Sequence, residues 1–304
     1  MALVRVAAAV ILRPDGQVLL AQRPEGKPYA GYWEFPGGKL EPGETARHAL
    51  VRELREELGL DVRDASPWLV QRYTYPHADV ELNFFRVYAW DGEPVGHDGQ
   101  AFRWQTPGQF EVTPLLPANT LVLRALELPT LYGVARTGPP GFGDPLGGAG
   151  RATGNGLRLL RVPEEAGSLA DRQARVEALL KLAAPAGIRV LLEGDEASAF
   201  AWGCAGVHWS SGQLARAARR PSGLLCSASC RGAEDVARAG ALGLDFAVLG
   251  PVLPGPSNAA PTHLGWDGFQ RQIAGTTLPV FASGGLGQDD LATAIARGAH
   301  GVAL

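Results

Sequence analysis

"WEFPGGKLEPGETARHALVRELREELGL" runs from Trp33 to Leu60 and packs six glutamates and the Gly37-Gly38 pair into one short stretch. Pro42-Gly43 precedes a helical pattern that Gly59 ends with a C-terminal stop signal. On that helix Glu53, Glu56 and Glu57 stand at i, i+3 and i+4, so all three project from one face. Like charges at this spacing repel, which costs helix stability unless a cation lies between them. Hard oxygen ligands converging in this way suit Mg²⁺ or Mn²⁺, which water and substrate phosphates normally complete. Gly37 and Gly38 permit a tight loop whose backbone carbonyl can approach the same ion, and Arg52 can orient a carboxylate through forked hydrogen bonds. The competing reading of the same residues is an exposed acidic helix neutralised by Arg47, Arg52 and Arg55.

The whole chain bounds what such a helix can serve. Its 304 residues suffice for one large or two ordinary domains, each with a real core. With 46% hydrophobic and 19% charged residues it has the composition of a soluble globular protein. A net charge of −3 gives no global basic field for long nucleic acid but is compatible with a small-molecule nucleotide held in a local site. Cys204, Cys226 and Cys230 make no disulfide framework and read as buried structural thiols. The N-terminal run "VRVAAAVILRPDG" is short, is broken by Arg5 and Arg13, and reads as a strand and turn. No run approaches membrane-spanning length, so a cytoplasmic protein is expected. The oligomeric state is left open.

Two textures divide the chain. Residues 4–12 and 17–21, joined by "RPDG", predict a β-hairpin. Strands are expected over 68–75, 80–90 and 101–104, and "LLPANTLVLRALEL" (115–128) predicts a closing helix with Pro117 near its start. This α/β unit is complete by about Leu128, giving a first domain over 1–128 and a second over 129–304. The Gly/Pro-rich stretch 136–156 has no apolar period and reads as a loop. Around it "TLYGVA", "LRLLRV", "IRVLL", "AGVHW", "LLCSAS", "DFAVLGPV", "LPVFASGG" and "GVAL" predict eight strands, most of them spaced by helical stretches. Eight such steps imply a parallel sheet closed as a (β/α)8 barrel. Roughly 175 residues is small beside the ~250 typical of that fold, with the first helix replaced by the Gly-rich loop and none following the last strand.

The spacing of Gly38, five residues, Glu44, seven residues, then Arg52-Glu53-Leu54-Arg55-Glu56-Glu57-Leu58-Gly59-Leu60 resembles the complete Nudix box. That resemblance implies a mixed-sheet α/β/α sandwich that hydrolyses a nucleoside diphosphate linked to another moiety. It implies catalytic roles for Glu44, Arg52, Glu53, Glu56 and Glu57, and a metal held by Glu53, Glu56 and Glu57 with Gly37.

Flanking residues over 4–127 resemble the MutT-type enzymes, which cleave 8-oxo-dGTP to the monophosphate and pyrophosphate in nucleotide-pool sanitisation. "AQRP" places Arg23 where those enzymes have a phosphate- or base-contacting arginine, and "EFPGGK" places Phe35 where an apolar ring packs near the base. Pro117-Ala118-Asn119 matches their Pro-Ala-Asn, whose asparagine reads the purine edge. An amide offers donor and acceptor in fixed geometry, suited to the O6 and N7–H edge of an oxidised guanine. Helix capping is the alternative role for Asn119. "GHDGQ" carries Asp98 where the resembling enzymes carry a metal- or water-contacting glutamate, and an exposed loop acid is the alternative.

"GVHW" (206–209), "DFAVLGPVLP" (245–254), "LGW" (264–266) and "SGGL" (283–286) resemble the thiamine-phosphate synthase/TenI barrels. Gly284 and Gly285 are candidate phosphate-binding backbone donors after the seventh strand, or steric requirements of the turn. The polar residues of the synthases are largely replaced. Pro163 and Glu165 stand where positive charge is implied, Glu193-Gly194 where Asn-Asp is, and no acid follows "GVHW". Arg231 and Ser257-Asn258 also depart from the family pattern, and His208 reads as structural. A degenerate barrel without synthase activity is therefore expected. Two other readings stay open: a Nudix hydrolase of another nucleotide or of a thiamine-pathway pyrophosphate, and a non-catalytic ligand-sensing fusion.

Overall fold

The computed structural model describes residues 3–97, 99–135, 156–164, 167–255 and 262–304, which form two compact units, Met1–Glu127 and Leu128–Leu304. In the first unit β1 (Leu3–Ile11) is the centre of a mixed sheet of order β4-β1-β6-β5, where β4 is Gly37–Lys39, β5 Asp61–Tyr75 and β6 Ala78–Asp91. It runs antiparallel to β4 and parallel to β6. Its apolar run is continuous because both faces are covered. Ala7, Ala9 and Ile11 pack with Leu50, Leu54 and Leu58 of helix α1 (Ala46–Leu58), whereas Ala8 and Val10 face the cluster holding Val122 and Leu123 of helix α2 (Thr120–Ala125). The layers are those of an α/β/α sandwich.

The expected hairpin over 4–12 and 17–21 is corrected by this arrangement. The "RPDG" turn forms, with Arg13 N donating to Gln17 O at 3.0 Å, but Leu12↔Val18 is the one bridge described across it. Both edges of β1 are already occupied by β4 and β6. The second segment, β2 (Val18–Gln22), therefore joins a separate sheet of order β3-β2-β7, with β3 at Trp33–Glu34 and β7 at Phe102–Gln105. The closing helix over 115–128 is also shorter than expected: Pro117–Asn119 forms a 3₁₀ turn and only Thr120–Ala125 is α-helical.

α1 begins at Thr45, whose side chain accepts from His48 N, and ends at Gly59 in the left-handed conformation (φ 67°). Ala49, Leu50, Leu54 and Leu58 are its buried residues. Arg52, Glu53 and Glu57 are turned away from that apolar stripe, toward the β4 loop.

The second unit is a closed barrel of eight parallel strands: β8 (Leu131–Val134), β9 (Leu159–Val162), β10 (Arg189–Glu193), β11 (Gly206–Trp209), β12 (Leu225–Cys230), β13 (Phe246–Leu249), β14 (Val280–Ser283) and β15 (Gly301–Ala303). β15 closes onto β8. Inward residues Tyr132, Leu159, Leu191, Phe246 and Phe281 fill the interior, while alternate residues such as Val280 and Ala282 pack outward with the helices. The expected Gly-rich replacement of the first helix falls on 136–155, outside the described residues. Among the described residues no helix is long and apolar enough to cross a membrane.

Candidate active site

The first unit holds a pocket of about 490 Å³ lined by both carboxylates and apolar side chains. Glu53 and Glu57, one turn apart on α1, line it together with Gly37 and Gly38. The close approach of loop and helix requires glycine, since a Cβ at position 38 would lie 2.1 Å from the Glu53 carboxyl carbon. Burial pushes the Glu57 carboxyl up to about 7, with Lys27 and a Gly37 backbone hydrogen bond opposing and the Glu53 and Glu34 charges adding to the rise. Lys27 Nζ lies 3.7 Å from Glu57 Oε1.

Arg52 organises the adjoining carboxylates. Its Nε and Nη2 donate to the two oxygens of Glu44 at 3.1 and 2.9 Å, and Nη1 donates to Glu53 Oε1 at 2.8 Å. The same Nη1 reaches Glu56 Oε2 at 3.3 Å, and Nη2 also donates to the Lys39 carbonyl at 3.1 Å. These hydrogen bonds hold the Glu44 carboxyl below its usual range and raise the pKa of Arg52.

The expected convergence of three glutamates is only partly present. Glu53 and Glu57 share the pocket, but the Glu56 side chain is 62% exposed and lies outside the lining. Among the described residues no three His, Cys, Asp or Glu side chains are gathered closely enough to hold an ion as they stand. The physical reason is like-charge repulsion: Glu53 and Glu56 turn to Arg52, and Glu57 to Lys27. Asp98 lies outside the described residues.

Phe35, Tyr75 and Asn119 also line the pocket. Phe35 is buried edge-on against Phe84, ring centroids 5.7 Å apart. Asn119 is 1% exposed and occupies the position before α2, yet its side chain makes no capping bond there and its Nδ2 has no hydrogen-bond partner. The capping alternative is therefore not what this amide does. Arg23 also lines the pocket, but Nη1 reaches both carboxylate oxygens of Glu34 at 2.6 Å and Nε donates to the Pro28 carbonyl at 2.8 Å. Burial raises the Glu34 carboxyl, with Arg23 opposing.

Lys27, Glu34, Tyr29, Tyr75 and His77 were not singled out from the sequence, and all line the pocket. For Tyr75 a signal existed in the period-two spacing of Tyr73 and Tyr75, which read simply as strand.

In the barrel, a cavity of about 320 Å³ lies at the C-terminal strand ends, lined by Glu193, Ser229, Arg231, Ser283 and Gly284 among others. Gly284 borders it. Gly285 does not, and a Cβ there would meet the Leu253 and Pro254 carbonyl oxygens at 2.4 Å, which is the steric reading. Two acids at or just after the strand ends are paired, Glu193 with Arg161 at 3.6 Å and Glu164 with Arg172 at 3.5 Å. Glu165 and Ser257-Asn258 lie outside the described residues. His208 is fully buried among hydroxyls, with Nδ1 2.8 Å from Ser227 and 3.2 Å from Tyr132, and Nε2 2.9 Å from Ser229. Burial, with Arg161 adding to it, keeps this imidazole neutral.

A carboxylate-lined pocket in a mixed-sheet sandwich, carried on one chain with a closed parallel barrel, defines a two-unit fusion protein. Comparison with known proteins gives both parts a family. Residues 2–126 match the NUDIX domain and residues 131–304 match thiamine monophosphate synthase. The chain is 42% identical over 131 residues to the CTP pyrophosphohydrolase of Escherichia coli K12, covering 41% of this chain and 92% of that protein. It is 37% identical over 124 residues to the 8-oxo-dGTP diphosphatase of Haemophilus influenzae, covering 41% and 91%. Its second half is 36% identical over 166 residues to a putative thiamine-phosphate synthase of Geobacter sulfurreducens, covering 50% and 74%. The chain belongs to the Nudix family through its first unit and to the thiamine monophosphate synthase family through its second. The first unit is a Nudix pyrophosphohydrolase of the MutT, 8-oxo-dGTP diphosphatase kind.

Proposed function

We propose that the first unit hydrolyses an oxidised purine nucleoside triphosphate of the 8-oxo-dGTP kind to the monophosphate and pyrophosphate, removing it from the cytoplasmic nucleotide pool so that mutation is avoided. The observation that carries this reading is the buried, unpartnered Nδ2 of Asn119 in the pocket that also holds Glu53 and Glu57. A polar atom left unpaired inside a protein costs about 1–3 kcal/mol unless a ligand supplies its partner. A base reader and carboxylates in one pocket suit a nucleotide with its phosphates at the carboxylates.

The donor set fits a divalent cation such as Mg²⁺ or Mn²⁺. Two half-enclosed carboxylates, one with its pKa driven up by burial and by its neighbour, are relieved by positive charge between them. Glu53, Glu57 and the Gly37 carbonyl would hold it, with Glu56 and Asp98 as further ligands. A cation bound there supplies charge neutralisation at the pyrophosphate and a more acidic bound water. Arg52 and Glu44 fix the Glu53 carboxylate, Phe35 packs on the base, and Arg23 with Glu34 forms the pocket wall beside it.

The identity to a CTP pyrophosphohydrolase favours a second reading in which a pyrimidine nucleotide is the substrate. For the barrel we propose ligand binding without thiamine-phosphate synthesis, Gly284 being the candidate phosphate contact that borders the cavity. A turnover screen of 8-oxo-dGTP, dGTP, CTP and thiamine-pathway pyrophosphates with Mg²⁺ separates these readings.

A further inference from the structure

Asn119 is not alone in having an unpaired polar atom in this pocket. The Tyr75 hydroxyl is also buried and lines the same pocket; the Ala118 backbone approaches its oxygen, where an N–H engages a lone pair, but no acceptor among the described residues takes its proton. The two side chains are 1% and 6% exposed. Native interiors leave few polar groups unpaired, and each one calls for an explanation. Two in one cavity share one: a ligand that brings partners for both.

The ring of Tyr75 is accounted for without its hydroxyl. It lies 4.6 Å from the Tyr73 ring, 5.2 Å from Tyr29 and 5.5 Å from the stacked His77 imidazole. Phenylalanine would make the same contacts, so packing does not explain the oxygen. The Ala118 backbone lies close to the phenol, which brings the hydroxyl against the 3₁₀ turn that carries Asn119. Burial pushes the phenol up to about 12, with Ala118 opposing, so the proton stays on the oxygen at working pH and the group remains a donor.

We propose that Tyr75 is a second base-reading residue, its hydroxyl donating to a carbonyl oxygen of the nucleobase beside the Asn119 amide. The ring contacts fix the direction of that bond, and the carboxylates of Glu53 and Glu57 in the same pocket are where the metal-bound phosphates would sit. A base lacking an oxygen at that point leaves the hydroxyl unpaired, and such a mismatch discriminates more strongly than an added or missing methyl group.

This inference rests on the nucleotide reading above, and Tyr75→Phe in the full chain tests it. With the nucleotide that the wild type prefers, the variant is expected to raise KM about tenfold and leave kcat nearly unchanged. Its Tm is expected to stay nearly constant, because the hydroxyl proton is donated to no group of the protein. Calorimetric titration with 8-oxo-dGMP is expected to weaken by a similar factor. Unchanged KM on the preferred nucleotide overturns the proposal. So does a fall in Tm with an equal loss on every nucleotide, which marks a structural hydroxyl. A wild type that prefers CTP overturns the oxidised-purine reading instead, and the Tyr75 comparison is then made with CTP.

Discussion

Arg52 Nη1 donates to Glu53 Oε1 at 2.8 Å while its remaining guanidinium nitrogens hold both oxygens of Glu44. One planar side chain thus fixes the carboxylate that faces the Gly37-Gly38 loop. Glu53→Gln and Glu57→Gln are expected to cut kcat by about 10²–10³, the loss typical of one group that stabilises a transition state. Arg52→Lys keeps the charge but not the fork, so it is expected to lose activity about tenfold or more. Steady-state kinetics with Mg²⁺, alongside circular dichroism to verify the fold, check all three. Wild-type turnover in either glutamine variant contradicts the site assignment.

The pH dependence follows from Glu57. Its folded-state carboxyl is raised to about 7 from an ordinary value of 4.5. Between those values the folded protein binds more protons than the unfolded chain, so stability is fully present below 4.5 and is lost as pH rises through 7. In the presence of a chelator, Glu57→Gln is expected to flatten this slope and to melt above the wild type at pH 8. Mg²⁺ competes with the proton for the same carboxylate and is expected to raise Tm more at pH 8 than at pH 5. Thermal melts at the two pH values read both effects; a uniform Mg²⁺ shift contradicts them.

Asn119→Ala is expected to reduce kcat/KM for 8-oxo-dGTP about tenfold more than for dGTP, since a site that pairs with a specific edge loses discrimination when its partner goes. The melting temperature is expected to change little, because the Asn119 amide caps nothing and its Nδ2 is unpaired in the fold. Parallel kinetics on the two nucleotides check it. Equal losses would reduce Asn119 to a packing residue.

What the sequence made legible was local. The α1 boundaries follow from Pro42-Gly43 and Gly59, and the glutamate spacing is a property of one helix. The eight barrel strands are short apolar runs whose order in the sheet is their order in the chain. Non-local pairing was not legible. The apolar run of β1 says that both faces are covered, but not that β4 and β6 take its edges and send β2 to another sheet. In the site, Glu56 and Glu57 are neighbours in sequence, yet one faces Arg52 in solvent and the other Lys27 in the pocket. Tyr75 was hidden because an aromatic in a strand reads as core, and only the fold shows that its proton lacks an acceptor.

For the barrel, the full chain is expected to form no thiamine phosphate, and a fragment ending at Leu128 is expected to fold and keep its nucleotide hydrolysis. The paired acids Glu193 and Glu164 leave Arg231 as the cation lining the cavity among the described residues, and no acid follows "GVHW" to complete a metal site. The first unit has its own sheets, helices and apolar clusters. A synthase assay and a fragment assay check the two statements separately. Detected thiamine phosphate refutes the first, and a folded but inactive fragment refutes the second.

The most direct test of the central claim is the ratio of kcat/KM for 8-oxo-dGTP to that for dGTP and CTP, measured on the full chain with Mg²⁺ and with products separated by chromatography. The account predicts monophosphate and pyrophosphate as products and a ratio of about 10² or more in favour of the oxidised purine, as expected when the Asn119 amide oxygen accepts from the N7–H that only that base presents. Equal rates on 8-oxo-dGTP and dGTP, or a preference for CTP, would contradict it.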